Sequence, residues 1–198
     1  MYRGYLLEKR QRLADLTKIL EQNYPKYYQI KHRTTQLSLS KIRENLPDKG
    51  TAILEFFAGE RALYLFVVTP NAQFIFSRTI DGNYNKLLTQ FYELLTTPAE
   101  YSSNPQDCER RFAQIGSELY TQLLLPQAFA KTGELRRLVI IPDGLMSYVP
   151  LDLLLTEKPD LQQTFKTFPY LLRQYAVSYH YSSSLWLDTR LSPRQSAA

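Results

Sequence analysis

The sequence predicts an α/β fold, a mixed β-sheet with flanking helices. Three β-type segments, at residues 51–58, 61–69 and 73–80, follow one another through short connections, which is typical of an antiparallel meander. Helices then lead into a short, wholly apolar segment at residues 138–141, which indicates a crossover connection in a sheet with helices on both sides. With 198 residues, 44% of them hydrophobic, the chain is large enough to bury a core.

Composition limits the chemistry of the chain. Cys108 is the only cysteine, which excludes an internal disulfide and a multi-cysteine zinc site. The two histidines, His32 and His180, leave little for a metal, and no glycine-rich phosphate-binding motif occurs. No segment has a signal-peptide pattern or the roughly 18 apolar residues of a membrane span. We therefore expect a soluble, cytoplasmic protein with no cofactor, no metal and no membrane contact.

The first predicted helix covers residues 2–23, where apolar residues recur at helical spacing. No capping residue precedes this helix, so we expect it to continue a longer helical segment. A second, short helix is predicted at residues 38–46, with Ser38 as its N-cap. The apolar face of the first helix carries Leu6, Leu13, Leu16 and Leu20.

The middle of the chain predicts one buried strand and two helices. Residues 63–68 are apolar on both faces, which favours a central strand covered on both sides. A helix at residues 84–95 follows. Asn104 and Pro105 predict the start of another helix, because asparagine caps and proline fits the first turn. We expect this helix to reach about residue 129, with a bend at Pro126.

The last third predicts two strands that are separated by turns. Pro142-Asp143-Gly144 follows the strand at residues 138–141, and we interpret it as a tight turn, although strand ends of this kind also carry function. Residues 149–155 predict a short helix or turn, and residues 175–181 the last strand, which ends in a serine run.

Cys108 and His180 are the candidates for nucleophilic catalysis. The first turn of a helix favours a thiolate at Cys108, but the neighbouring acids Asp107 and Glu109 oppose it. Nothing in the spacing brings Cys108 and His180 together, and no G-x-S-x-G motif occurs. We therefore interpret them as an ordinary helix cysteine and a half-buried, hydrogen-bonded histidine.

A basic and aromatic segment spans residues 24–43. Tyr24, Tyr27 and Tyr28 could stack on single-stranded nucleic acid, with the charges beside them holding the backbone. A solvated face beside a helix junction explains the same pattern, and we prefer it because the patch is small. The basic residues are Lys26, Lys31, His32, Arg33, Lys41 and Arg43.

Three segments together resemble the CHAT domain, the caspase-like domain associated with tetratricopeptide repeats. Residues 37–69 (LSLSKIRENLPDKGTAILEFFAGERALYLFVVT) resemble its opening. Residues 138–155 (LVIIPDGLMSYVPLDLLL) resemble its strand, Pro-Asp-Gly, aromatic and Pro-Leu segment. Residues 170–186 (YLLRQYAVSYHYSSSLW) resemble its closing strand with a serine-rich end. The resemblance covers about residues 1–188.

The resemblance implies a caspase- or separase-like sheet, of which this chain would form the N-terminal, pseudo-caspase half, preceded by a long linker helix. In this family the catalytic histidine and cysteine lie in later segments, and neither Cys108 nor His180 matches them. Residues 1–36 would be a helical linker that continues upstream repeats, residues 37–188 the N-terminal part of the CHAT domain, and residues 189–198 a disordered tail.

Two functions follow from this resemblance. The first is a regulatory or scaffolding half of a cysteine peptidase, and the second is an interaction module of an inactive parent protein; a nucleic-acid-binding module is the least favoured alternative. We expect no catalytic, cofactor-binding or metal-binding residue in this chain. The expected partners are the remainder of the CHAT domain, upstream tetratricopeptide repeats and other proteins; nucleic acid is disfavoured, and no membrane contact is expected.

Overall fold

The computed structural model describes residues 38–97, 102–160 and 163–191, together with six residues nearer the N-terminus. The chain divides into two compact units, Met1–Ser38 and Leu39–Ala198. Six described residues of the first unit are helical and exposed and fall within the predicted helix, whereas Ser38, at the end of this unit, is exposed and not helical. The four leucines of the predicted apolar face lie outside the described residues. The six are Arg12, Asp15, Lys18, Ile19, Gln22 and Asn23.

Within the described part of the second unit, five strands form one mixed sheet in the order β3-β2-β1-β4-β5. β1 pairs antiparallel with β2, and β2 antiparallel with β3, which confirms the predicted meander. β4 pairs parallel with β1 and with β5, which confirms the crossover. The strands are β1 (Thr51–Ala58), β2 (Ala62–Val68), β3 (Gln73–Thr79), β4 (Arg137–Ile141) and β5 (Ala176–Tyr179).

The two faces of the sheet are covered by different helices. We call the core face the one that carries Leu54, Leu65 and Ile140, which are buried in one large cluster with residues of α2, α3 and α4. The opposite, second face carries Ile53 and Val139, which are paired across β1 and β4. The helices are α1 (Leu39–Glu44), α2 (Gly82–Thr96), α3 (Pro105–Gln122), α4 (Leu125–Thr132) and α5 (Ser183–Leu191).

α1 is shorter than predicted and is tied to the meander. Its buried residue is Ile42, and Leu46 is buried just beyond its end. The Arg43 guanidinium donates two hydrogen bonds, of 3.0 and 2.9 Å, to the carbonyl of Pro70 in the turn between β2 and β3. Arg43 is therefore engaged in holding the fold.

α3 begins as predicted but ends earlier. The Asn104 side chain accepts a hydrogen bond of 3.2 Å from the Asp107 amide, and Pro105 occupies the first turn. The predicted bend at Pro126 is instead a complete break, because Leu124 adopts a positive φ of 63°. Pro126 then lies in the first turn of α4, where its missing N–H costs no hydrogen bond. Burial of three consecutive leucines, Leu123, Leu124 and Leu125, accompanies this strained break.

The prediction that β2 is a central strand covered on both sides is wrong. β1 is the central strand, and β2 has one buried face, where Leu63 and Leu65 are fully buried. On its other face Tyr64 and Phe66 are each 37% exposed. Aromatic side chains are frequent on strands even where one face meets water, because they pack against cross-strand neighbours. Apolar composition alone therefore did not distinguish an aromatic exposed face from a second buried face.

Four exposed apolar side chains form what we call the open patch, on the second face at the meander end of the sheet. Phe66 lies opposite Ile75, and Phe57 lies opposite Tyr64 with ring centroids 6.2 Å apart. Ile75 is 67% exposed and Phe57 is 56% exposed. Ile53 and Val139 on the same face are buried, so the exposure is confined to the meander end of this face.

The end of the chain differs from the prediction. β5 is four residues long, and the serine run that follows begins α5 rather than ending a strand. The Ser182 hydroxyl accepts a hydrogen bond of 3.1 Å from the Leu185 amide, so Ser182 caps this helix. Residues 189–191, predicted to start a disordered tail, are the last residues of α5; residues 192–198 lie outside the described residues.

Candidate functional site

The carboxyl ends of the parallel strands β1, β4 and β5 meet at one edge of the sheet, the place where α/β folds commonly carry function. Asp143, directly after β4, accepts a hydrogen bond of 2.9 Å on its Oδ2 atom from the Ala58 amide at the end of β1. Gly144 follows with a φ of 58°, a conformation that favours glycine. The predicted tight turn is confirmed, and the Asp143 carboxylate serves to join two strand ends.

The Tyr84 phenol is buried near this turn. Tyr84 is 3% exposed, and its hydroxyl has no hydrogen-bond partner among the described residues. Burial and the charge of Asp143 both raise the pKa of Tyr84, which keeps the phenol neutral. Tyr84 on α2 belongs to the hydrophobic cluster of the core face, and we interpret it as a core side chain.

Cys108 lies in the N-terminal part of α3 and is 4% exposed. Its acidic neighbours are engaged elsewhere: Asp107 forms an ion pair with Arg110, and the Glu109 carboxylate accepts a hydrogen bond of 3.4 Å from the Phe165 amide. α3 packs on the core face through Phe112 and further residues along the helix. Cys108 is therefore a buried helix cysteine, as the sequence predicts.

His180 lies immediately after β5, where its backbone amide donates a hydrogen bond of 2.9 Å to the Ile140 carbonyl. Its side chain is half-buried and lies on the second face, beside Trp186 and Arg190 of α5. Burial, and then the charge of Arg190, lower the pKa of His180. The sheet thus lies between His180 and the helix that carries Cys108, and the structure does not bring the two side chains together.

The serine run contributes one buried hydroxyl. Ser183 is 6% exposed, and its Oγ atom donates a hydrogen bond of 2.6 Å to the Glu55 carboxylate on the second face of β1. This bond anchors the start of α5 on the sheet. A capping serine followed by helical spacing was present in the sequence and could have indicated α5.

Tyr179 and Asp152 form a pair that sequence reasoning missed. The Tyr179 hydroxyl donates to Asp152 Oδ1 at 2.5 Å and accepts from the Asp152 amide at 3.0 Å. Burial and the hydrogen bond to Asp152 raise the pKa of Tyr179. The pair joins β5 to the 3₁₀ turn Leu151–Leu153, the short helical turn that the sequence predicts within residues 149–155. Nothing in the sequence spacing of 27 residues could have indicated this contact.

Two further observations limit the chemistry of the described part of the chain. No three His, Cys, Asp or Glu side chains in it lie close enough together to hold a metal ion. None of its helices is long and apolar enough to cross a membrane.

Helices on a mixed sheet, with three parallel strands whose carboxyl ends meet, define an α/β fold consistent with the caspase-like class. Residues 113–198 match the family model of the CHAT domain, a caspase-like family. The match covers the second half of α3 and all of α4, β4, β5 and α5. It confirms the resemblance to the CHAT domain and contains two of the three segments that carry it, residues 138–155 and 170–186. No curated protein matches the chain.

Proposed function

We propose that this chain is the non-catalytic, regulatory or scaffolding half of a CHAT-family, caspase-like cysteine peptidase. The observation that carries the proposal is the separation of Cys108 from His180. Cys108 is buried on a helix of the core face, whereas His180 lies on the second face. Cysteine peptidases need a thiol and a base within hydrogen-bond reach, so Cys108 and His180 do not form a catalytic pair.

The edge of the sheet at β5 supports a role in joining another segment. The amides of Ala176 and His180 donate to carbonyls on the β4 side, of Arg136 and Ile140 respectively. Residues on a strand alternate in direction, so the backbone groups of Val177 and Tyr179 point away from β4. An unpaired strand edge accepts a further strand by main-chain hydrogen bonds. The remainder of the CHAT domain is the partner that we propose for this edge, with tetratricopeptide repeats upstream.

The test compares the 198-residue chain with a longer polypeptide that carries it together with the proposed catalytic segment. We expect the chain alone to cleave no fluorogenic peptide. Cleavage by the longer polypeptide should survive Cys108→Ala and His180→Asn, and should be lost when a cysteine of the other segment is replaced. Cleavage by the chain alone that Cys108→Ala abolishes would overturn the proposal.

The alternative is an interaction module of a catalytically inactive parent protein, and the open patch favours it. Contiguous exposed apolar side chains on a sheet are typical of protein contact surfaces. The longer polypeptide distinguishes the two functions. If its other segment is a catalytic half, the polypeptide cleaves peptide, and a histidine and a cysteine of that segment are both required. If the parent protein is inactive, the unchanged longer polypeptide cleaves no peptide. The described basic residues give the nucleic-acid alternative little support, because Arg43 is bonded to Pro70.

A further inference from the structure

A cavity of about 270 Å³ opens on the second face, between α5 and the strands β4 and β5. Its wall includes Trp186 of α5 and Ser178 of β5, and its charged or titratable lining residues are Arg137, His180 and Arg190. All three of these are basic or become cationic on protonation. Among the described residues, no acidic side chain lines the cavity.

Each arginine is held in place by a contact that leaves donors available. Arg137 forms an ion pair with Asp48 through its Nη1 atom, and a guanidinium has four further N–H groups. Desolvation raises the pKa of Asp48, but its hydrogen bonds and the charge of Arg137 together lower that pKa below the usual range. The Arg190 guanidinium lies over the ring of Trp186, with its Cζ atom 5.7 Å from the ring centroid.

The hydroxyl groups of the cavity are used within the fold. Ser178 donates to the Leu138 carbonyl at 3.5 Å, and Thr189 donates to the Trp186 carbonyl at 2.7 Å. The groups left to meet a ligand are therefore the basic ones, of which Arg137 is already paired with Asp48.

We propose that this cavity binds a small oxyanion group, a phosphate or a carboxylate, between Arg190 and His180. A guanidinium fork matches two oxygens of such a group, and the imidazole adds an N–H donor whose protonation a bound anion would favour. The volume lies just below the usual range for ligand cavities, which suits a single anionic group with few attached atoms. Anion binding here does not depend on the proposed function, because it is measured on this chain alone.

The lowered pKa of His180 supplies a readout for a bound anion. Burial lowers this pKa most, and the charge of Arg190 on α5 lowers it further; Arg137 on β4 is the other charged residue of the cavity wall. A bound anion would offset the charge of Arg190 and raise the pKa of His180. His32, the only other histidine, provides an internal reference.

The experiment follows the imidazole resonances of both histidines by NMR, while inorganic phosphate or acetate replaces chloride at constant ionic strength. We expect a saturable shift and a raised pKa for His180, with His32 unchanged. Stronger binding of phosphate than acetate identifies a phosphoryl site, and the reverse identifies a carboxylate site. Arg190→Met should weaken binding about tenfold or more, since charge-assisted hydrogen bonds are lost.

Arg110→Met is the matched control, because Arg110 is an exposed arginine of α3 that pairs with Asp107. This variant should bind phosphate as the unchanged chain does. Unfolding temperature checks that Arg190→Met is folded, and Arg190 is itself exposed. No saturable shift of His180, an equal shift of both histidines, or unchanged binding by folded Arg190→Met would each overturn the proposal.

Discussion

Replacement of Leu65 by alanine tests the one-sided burial of the meander. Leu65 of β2 is 0% exposed and lies between Phe56 of β1 and Phe76 of β3 on the core face. Leu65→Ala removes buried carbon atoms and leaves a cavity, which costs about 2–5 kcal/mol of unfolding free energy. Ile75→Ala is the matched control, because it deletes an aliphatic group of similar size from a side chain that is 67% exposed. The control should cost less than about 1 kcal/mol.

Urea unfolding, followed by fluorescence and by circular dichroism, measures both variants. The reasoning predicts a clearly lower midpoint for Leu65→Ala at an unchanged m-value, and a midpoint near that of the unchanged chain for Ile75→Ala. A loss below about 1 kcal/mol for Leu65→Ala would refute the burial of this strand face. Equal losses for the two variants would refute the difference between the faces.

Three further stability predictions concern the turn after β4 and the histidine after β5. Asp143→Ala should lower the unfolding free energy by about 1–3 kcal/mol in the same urea titration, because the Ala58 amide loses its acceptor. Asp143→Asn keeps an acceptor and should cost less. Gly144→Ala should lower the stability measured by thermal unfolding by about 1–2 kcal/mol, because Gly144 has a positive φ. Gly82→Ala is the control, because an added Cβ meets nothing within 4 Å at either glycine, and it should be neutral or stabilising. The pKa of His180 is lowered in the folded chain, so the unfolded chain binds a proton at this side chain more readily. Stability should therefore fall as the pH drops below about 6.5. His180→Asn should reduce this loss, measured between pH 8 and pH 5.5.

Local signals predicted the meander and the turns closely. The bounds of β1 match the predicted segment, and β2 and β3 differ by one residue at their ends. Glycine tolerates a positive φ, and Gly144 uses this property in the predicted turn. The meander and this glycine turn depend on neighbouring residues, which is why sequence alone reveals them. The Asp143 carboxylate, in contrast, caps no local amide and binds the Ala58 amide 85 residues away.

Features that depend on distant residues were not predictable in the same way. The exposure of Tyr64 and Phe66 on β2 depends on which helices cover the second face of the sheet. The sequence of β2 does not show which helices these are, because Leu65 and Phe66 are both apolar. The contact between Tyr179 and Asp152, and the cavity beside Arg190, bring together side chains from separate elements. α5 was missed because its serine cap was assigned to the preceding strand.

The accessibility of the Cys108 thiol tests the central claim, that this chain carries no catalytic pair. Cys108 is the only cysteine, so alkylation by iodoacetamide, followed by mass spectrometry, reports on this side chain alone. We predict slower alkylation in the folded chain than in urea, because the thiol is buried, and an unchanged rate in His180→Asn, because the sheet separates the two residues. Faster alkylation of the folded chain near neutral pH, lost in His180→Asn, would show an activated thiol and contradict the account.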